Sequence, residues 1–119
     1  MRIGNITFDC ADPARVAAFW SAVLGYGEPG GDRDEGNTWA HCQPREGSGP
    51  NLYFQRVPEP KVVKNRVHLD VAAFTGLDAA VAQLEQLGAR RGQRFDEGGS
   101  TWFTMFDPEG NEFCVSAAS

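Results

Sequence analysis

The chain has 119 residues, enough for one compact domain and too few for two independent ones. Its formal net charge is −5, and its Lys and Arg residues are scattered, so no basic stripe marks a nucleic-acid partner. Its apolar runs are short and interrupted, which argues against a membrane partner, and the N-terminal run MRIGNITFDC lacks the layout of a signal peptide. Cys10, Cys42 and Cys114 form an odd, widely spaced set that does not suit a disulfide framework, so reduced thiols in a cytoplasmic protein are expected.

The first predicted element is a strand, ITFDC. Side chains alternate along a strand, so Ile6, Phe8 and Cys10 share one face and Asn5, Thr7 and Asp9 the other. Asp12 offers an N-cap, and Pro13 suits the first helical position. Val16, Phe19, Trp20, Val23 and Leu24 then form an apolar stripe at helical spacing, and Gly25 stops the helix. Short strands are expected near residues 38–43 and 52–57, with a weaker one after the Leu24-Gly25 stop. Residues 57–65, with Pro58 and Pro60, read as a linker. The Gly-rich stretches 27–36 and 47–50 read as mobile loops that either carry specificity or simply connect.

The second half repeats this order. VHLDV, residues 67–71, is a strand in which Val67, Leu69 and Val71 share a face and Arg66, His68 and Asp70 share the other. Thr75-Gly76-Leu77-Asp78 resembles a capping box, Leu77, Val81, Leu84 and Leu87 form the helical stripe, and Gly88 stops it. Strands are expected near 102–106 and 112–116, again with a weaker one after the Leu87-Gly88 stop. Asp9 mirrors Asp70, Leu24-Gly25 mirrors Leu87-Gly88, and Trp39 mirrors Trp102. So does the strand from Asn51 mirror the one from Asn111, all at a nearly constant spacing of about 60 residues. The order is βαβββ, twice. Residues 1–119 are expected to form a single domain, with one module at about 1–57, a linker at about 58–64 and a second module at about 65–119.

The helix of each module must cover one face of its sheet. If the two sheets curl toward each other, their other faces make a cup. Residues assigned to the cup-facing parity are Asn5, Thr7, Trp39, His41, Phe54, Arg56, Arg66, His68, Asp70, Trp102, Thr104 and Cys114. Gln55 and Arg56 have opposite parities, and Arg56 is the one expected to face the cup, where it would suit an anionic or carbonyl-bearing ligand. Trp39, Trp102 and Phe54 are candidate aromatic walls for a flat organic ligand, or else they pack the core or a dimer contact.

The run FDCADPARVAAFWSAVLGY, residues 8–26, and the run DPEGNEFCV, residues 107–115, resemble the first strand-helix unit and the C-terminal hairpin of the vicinal-oxygen-chelate superfamily. That superfamily includes glyoxalases, bleomycin-resistance proteins and dioxygenases. NRVHLDV, residues 65–71, is similar to the middle strand of a glyoxalase-like subgroup. The resemblance covers nearly the whole chain. It implies an α+β fold of two tandem βαβββ modules, with curved mixed sheets around a cup, and a homodimer.

In many members of this superfamily, His, Gln or Glu side chains from the first and last module strands hold a divalent metal that acts on vicinal oxygens. The corresponding positions here are Asn5, either Arg66 or His68, and Cys114. Asn is a weak ligand, Arg repels a cation, and one thiolate with one imidazole is a thin donor set, so no metal or other cofactor is expected. His68 serves either as a general acid or base or as a hydrogen-bonded structural residue, with Asp70 and Arg66 as catalytic partners in the first case. The expected function is metal-independent binding of a small organic molecule, as in antibiotic resistance. The alternatives are a lyase or isomerase of the glyoxalase-like type and a non-catalytic interaction domain.

Overall fold

The computed structural model describes residues 1–118. Its contacts divide the chain into two compact units, residues 1–61 and 62–119. Each unit is one βαβββ module.

The first module runs β1 (Ile6–Cys10), α1 (Pro13–Leu24), β2 (Gly30–Gly31), a 3₁₀ turn at Arg33–Glu35, β3 (Trp39–Cys42) and β4 (Leu52–Arg56). The sheet order is β1-β4-β3-β2, with β1 parallel to β4 and the other pairs antiparallel. Helix α1 starts where the sequence expects. The Asp12 side chain accepts a hydrogen bond from the Arg15 amide, Pro13 follows it, and Gly25 closes the helix at φ 65°.

The apolar stripe of α1 packs on β3 and β4. Val16, Ala17, Phe19 and Trp20 are buried, as are Ala40, Cys42, Leu52 and Phe54 of the sheet. The Phe8 ring lies 6.0 Å from Trp20 and 5.1 Å from Phe54. Each fully buried side chain of this kind contributes about 1.5–3 kcal/mol relative to exposure, which makes this packed layer the main support of the module.

The second module runs β5 (Asp70–Ala73), α2 (Leu77–Leu87), β6 (Arg90–Glu97), β7 (Ser100–Phe106) and β8 (Glu112–Ala117). Its sheet order, β5-β8-β7-β6, repeats the first, again with one parallel pair, β5 and β8. Ala80, Val81 and Leu84 of α2 and Phe103, Met105, Phe113 and Val115 of the sheet form its core. The fold is therefore α+β, with two tandem modules and a mixed sheet in each.

Three local expectations are corrected. The strand expected from Val67 begins only at Asp70, and Val67 is 80% exposed. The Asn65 amide and side chain bond to Glu112, and the Cys114 amide donates to the Leu69 carbonyl, so the chain reaches β8 by single contacts before a regular ladder starts. Thr75 does not cap α2: Gly76 holds the N-cap position, one residue later, without a side-chain hydrogen bond. The weak strand after each helix is also unequal between modules. It has two residues in β2 and eight in β6.

Candidate functional site

In each module the helix covers one sheet face and leaves the other open. On the first sheet the open face carries Thr7 and Asp9 of β1, Tyr53 and Gln55 of β4, and Trp39 and His41 of β3, as the cross-strand register requires. Trp39 lies in the middle of an aromatic row. Its ring is 5.8 Å from His41 at 13° and 5.9 Å from Tyr53 at 7°. The His41 ring sits against β2 so closely that a Cβ on Gly30 would come within 2.5 Å of its Nε2. Glycine is thus needed there for the row to form. At one end of the row Gln55 Nε2 donates to Asp9 Oδ1 at 2.7 Å.

The loop before β3 is fixed by its own hydrogen bonds. Asp32 Oδ1 accepts from the Thr38 and Trp39 amides at 2.7 and 2.9 Å, and its other oxygen accepts from the Thr38 hydroxyl. These bonds hold the Asp32 carboxyl below its ordinary pKa, the Thr38 hydroxyl contributing most. Asn37, at φ 52°, accepts from the Ala14 amide and donates to Asp12, which ties the loop to the start of α1. The Gly-rich stretch read as a mobile loop is held in this part by side-chain bonds.

Two residues assigned to the cup are corrected here. Phe54 is 0% exposed and packs on Phe8. It faces α1, and Tyr53, its neighbour, takes the open face. Arg56 shares the parity of Phe54, and its guanidinium donates to the Gly36 carbonyl at 2.8 Å. Gln55 is the open-face residue of that pair. The error is one residue of strand register, which exchanges the two faces of β4. What fixes the face is the pairing of Phe54 with Phe8 of the helix-facing set, a register that belongs to the fold and that no local pattern states.

The second module holds a cleft of roughly 1000 Å³. Trp102, Cys114, Ser116 and Asp70 line it from the open sheet face, His68 from the segment before β5, and Leu77 and Asp78 from the start of α2. Trp102 pairs with Phe95 across β6 and β7, and the two rings stack at 5.3 Å and 14°. Thr104 is opposite Cys114, and Asp70 is opposite Cys114 on the other side. Residues 98 and 99, both glycines with positive φ, make the tight turn that joins β6 to β7 beside this face.

Three side chains converge in the cleft. His68 Nδ1 lies 3.1 Å from Asp70 Oδ1. Ligand atoms of His68, Asp70 and Cys114 all lie within 4.8 Å of one another. Burial raises the pKa of the Cys114 thiol, and the Asp70 carboxylate adds to this, while the Thr104 hydroxyl and Lys64 oppose it. Cys114 is therefore a protonated thiol in neutral solution and not an activated nucleophile. The other two thiols are buried core groups, and burial pushes that of Cys42 up to about 12.

Arg66 is exposed in the bend before β5, and Asn5 is exposed just ahead of β1. The metal position implied by the resemblance thus offers an amide, a guanidinium or imidazole, and a thiol. Hard divalent cations prefer oxygen donors, and of these residue types only the Asn amide supplies one. The C-terminal hairpin motif is structural. Asp107 Oδ1 accepts from the Glu109 and Asn111 amides at 2.9 Å each, Oδ2 accepts from Asn111 Nδ2, and both residues are buried.

Among the described residues no helix is long and apolar enough to cross a membrane. Comparison with curated protein sequences finds no match. Solved structures share the fold. A glyoxalase/bleomycin resistance protein/dioxygenase family enzyme from Burkholderia phytofirmans aligns over 100% of both chains, with a TM-score of 0.70 and 17% identity. A protein from Agrobacterium tumefaciens aligns over 100% of this chain and 98% of its own, with a TM-score of 0.73 and 18% identity. The fosfomycin resistance protein of Listeria monocytogenes, solved with Mn(II) and a dihydroxypropylphosphonic acid, aligns over 99% and 90%, with a TM-score of 0.73 and 12% identity. At these identities the likeness is one of fold. The family model of the glyoxalase-like domain matches residues 5–116, nearly the whole chain, and the chain therefore belongs to this glyoxalase-like family of the vicinal-oxygen-chelate superfamily.

Proposed function

We propose that this chain binds a small organic molecule with a flat, unsaturated part on the open face of its second sheet, and that binding needs no hard divalent cation. The cleft beside Trp102 carries this reading. It is roughly 1000 Å³, at the upper end of the range for small-molecule sites, and it sets the Trp102 ring, backed by Phe95, among mostly polar side chains. Its size supports ligand binding over a non-binding domain whose face is filled by side chains. The row centred on Trp39 gives the first sheet a surface of the same kind.

The test is titration of the chelator-treated protein with flat aromatic compounds and with 2-oxo compounds, followed by NMR. Binding of at least one probe, with shifts at Trp102 and His68, is the expected result. No response from any probe at millimolar concentration would sink the proposal.

A second reading is an enzyme of the lyase or isomerase type, favoured by the His68–Asp70 pair. A carboxylate on Nδ1 fixes the imidazole and leaves Nε2 as an acid or base. Turnover of a bound 2-oxo compound that His68→Ala abolishes, with binding retained, would establish it. An unaffected variant would leave His68 as a structural residue. A homodimer is part of the proposal, because each four-stranded sheet has two edges that pairing with a second copy would cover. Light scattering at micromolar concentration distinguishes dimer from monomer.

A further inference from the structure

The charges around the cleft of the second module are not balanced. Asp70 and Asp78 line it, and both are exposed. Arg94 is the cationic side chain that lines it, and its guanidinium donates to Asp96, whose other oxygen accepts from the Thr101 hydroxyl. The remaining cations of this module are engaged or set back. Arg90 lies over the Phe106 ring, Arg91 pairs with Glu85, and Lys64 acts on the Cys114 thiol without lining the cleft. Asp70 meets the His68 imidazole and the Cys114 thiol, and neither an uncharged imidazole nor a thiol cancels its charge. Resting on the small-molecule reading above, we propose that the ligand of this cleft is an organic cation: a flat ring stacked on Trp102, with a protonated amine on a short arm that reaches Asp70.

Sheet geometry sets the reach of that arm. Asp70 pairs with Cys114, and Ser116, two residues on, pairs with Trp102. Asp70 and Trp102 therefore flank β8 on one face, diagonally apart by about 12 Å between Cα atoms, given the usual strand spacing and rise. The side chains between them are those of Cys114, Ser116 and its pair Ala72, all small, so a trough runs from the ring to the carboxylate. A ring on Trp102 and an ammonium at Asp70 would span it with the arm lying over Ser116. Two further carboxylates strengthen the field. Glu97 shares the open face with Phe95, opposite Ser100. Asp78 stands in the first turn of α2, where it already meets the positive end of the helix, so that end calls for no anionic ligand. An anion in the cleft would face these carboxylates with its one lining arginine held by Asp96.

The test uses the full chain near pH 8 and three probes that share one indole ring and a two-carbon arm. The arm ends in an ammonium, an amide or a carboxylate. Affinities are measured by NMR titration at low salt. The ammonium probe is expected to bind about fivefold tighter than the amide, and the carboxylate probe most weakly. Asp70→Asn is expected to bring the ammonium and amide probes within about twofold of each other, and Asp78→Asn to narrow the gap less. Circular dichroism checks that the variants are folded, and the native chain alone already decides the order of the probes. Equal binding of all three, preference for the carboxylate, or a preference for the ammonium that persists in folded Asp70→Asn would overturn this inference and leave the small-molecule reading standing. Binding of none of the three would end both.

Discussion

His68 Nδ1 lies 3.1 Å from Asp70 Oδ1, two residues along the chain and on the same side of it. An ionised carboxylate only accepts hydrogen bonds, so this contact places the proton of a neutral imidazole on Nδ1 and leaves Nε2 as the free nitrogen. Nitrogen NMR of His68 in metal-free protein is expected to show the Nδ1-protonated tautomer, and Asp70→Asn is expected to shift the balance toward the other. A native imidazole protonated on Nε2 would show that the pair does not persist in solution.

Phe54 and Trp39 test which faces of the first sheet are core and which are open. Phe54 is fully buried, and Phe54→Ala is expected to lower stability by about 3–5 kcal/mol in chemical denaturation. Trp39 is 36% exposed, and Trp39→Ala is expected to cost about 1 kcal/mol or less, mainly through lost stacking with His41 and Tyr53. Equal losses would mean that the Trp39 row is part of the core.

Much of this arrangement was legible in the sequence. The repeat and the helical stripes gave both modules, because caps such as Asp12 and Gly25 and apolar spacing are local signals. Trp39 and Trp102 were candidates for the open face, with core or dimer packing as the alternative, and both lie on the face opposite the buried Ala40 and Phe103. The alternation failed at Phe54 and Arg56, where five residues of mixed character, LYFQR, have no polar-apolar rhythm and only pairing with β1 sets the face. It also failed at Val67, where the side-chain anchors from Asn65 to Glu112 replace a strand. The convergence of His68, Asp70 and Cys114 depends on the parallel register of β5 and β8, a long-range pairing that no local pattern states. Tyr53, Gln55 and Phe95 were missed for the same reason.

Asp32 gives the loop at residues 32–38 a dependence on acid. Its folded pKa is lowered by the bonds from Thr38 and Trp39. A group with a depressed folded value contributes stability above its unfolded pKa and loses it as pH falls through the folded one. The loop is therefore expected to stay tied at pH 5 and to loosen progressively below the ordinary aspartate value of 3.8. Amide NMR of Thr38 and Trp39 follows this directly. Asp32→Asn should weaken the same bonds at neutral pH, and acid-insensitive amides in the native chain would contradict the assignment.

The three thiols should differ in reactivity. Cys10 and Cys42 are buried, and the Cys42 thiol lies at about 12, whereas Cys114 is partly exposed at the cleft. Brief alkylation of folded protein near pH 8 is expected to modify Cys114 first and slowly, and to leave Cys42 intact until unfolding. Mass spectrometry of the labelled peptides reads the order. Early labelling of Cys42 would show that the core of the first module opens readily.

The central claim is that the open face beside Trp102 holds a small molecule without a hard divalent cation. The most direct measurement is two-dimensional NMR of chelator-treated protein titrated with flat aromatic and 2-oxo compounds, with and without manganese(II). The expected result is saturable shifts at Trp102, His68 and Ser116 that do not depend on manganese. Binding that occurs only after manganese is added, or shifts confined to residues outside the cleft, would contradict it.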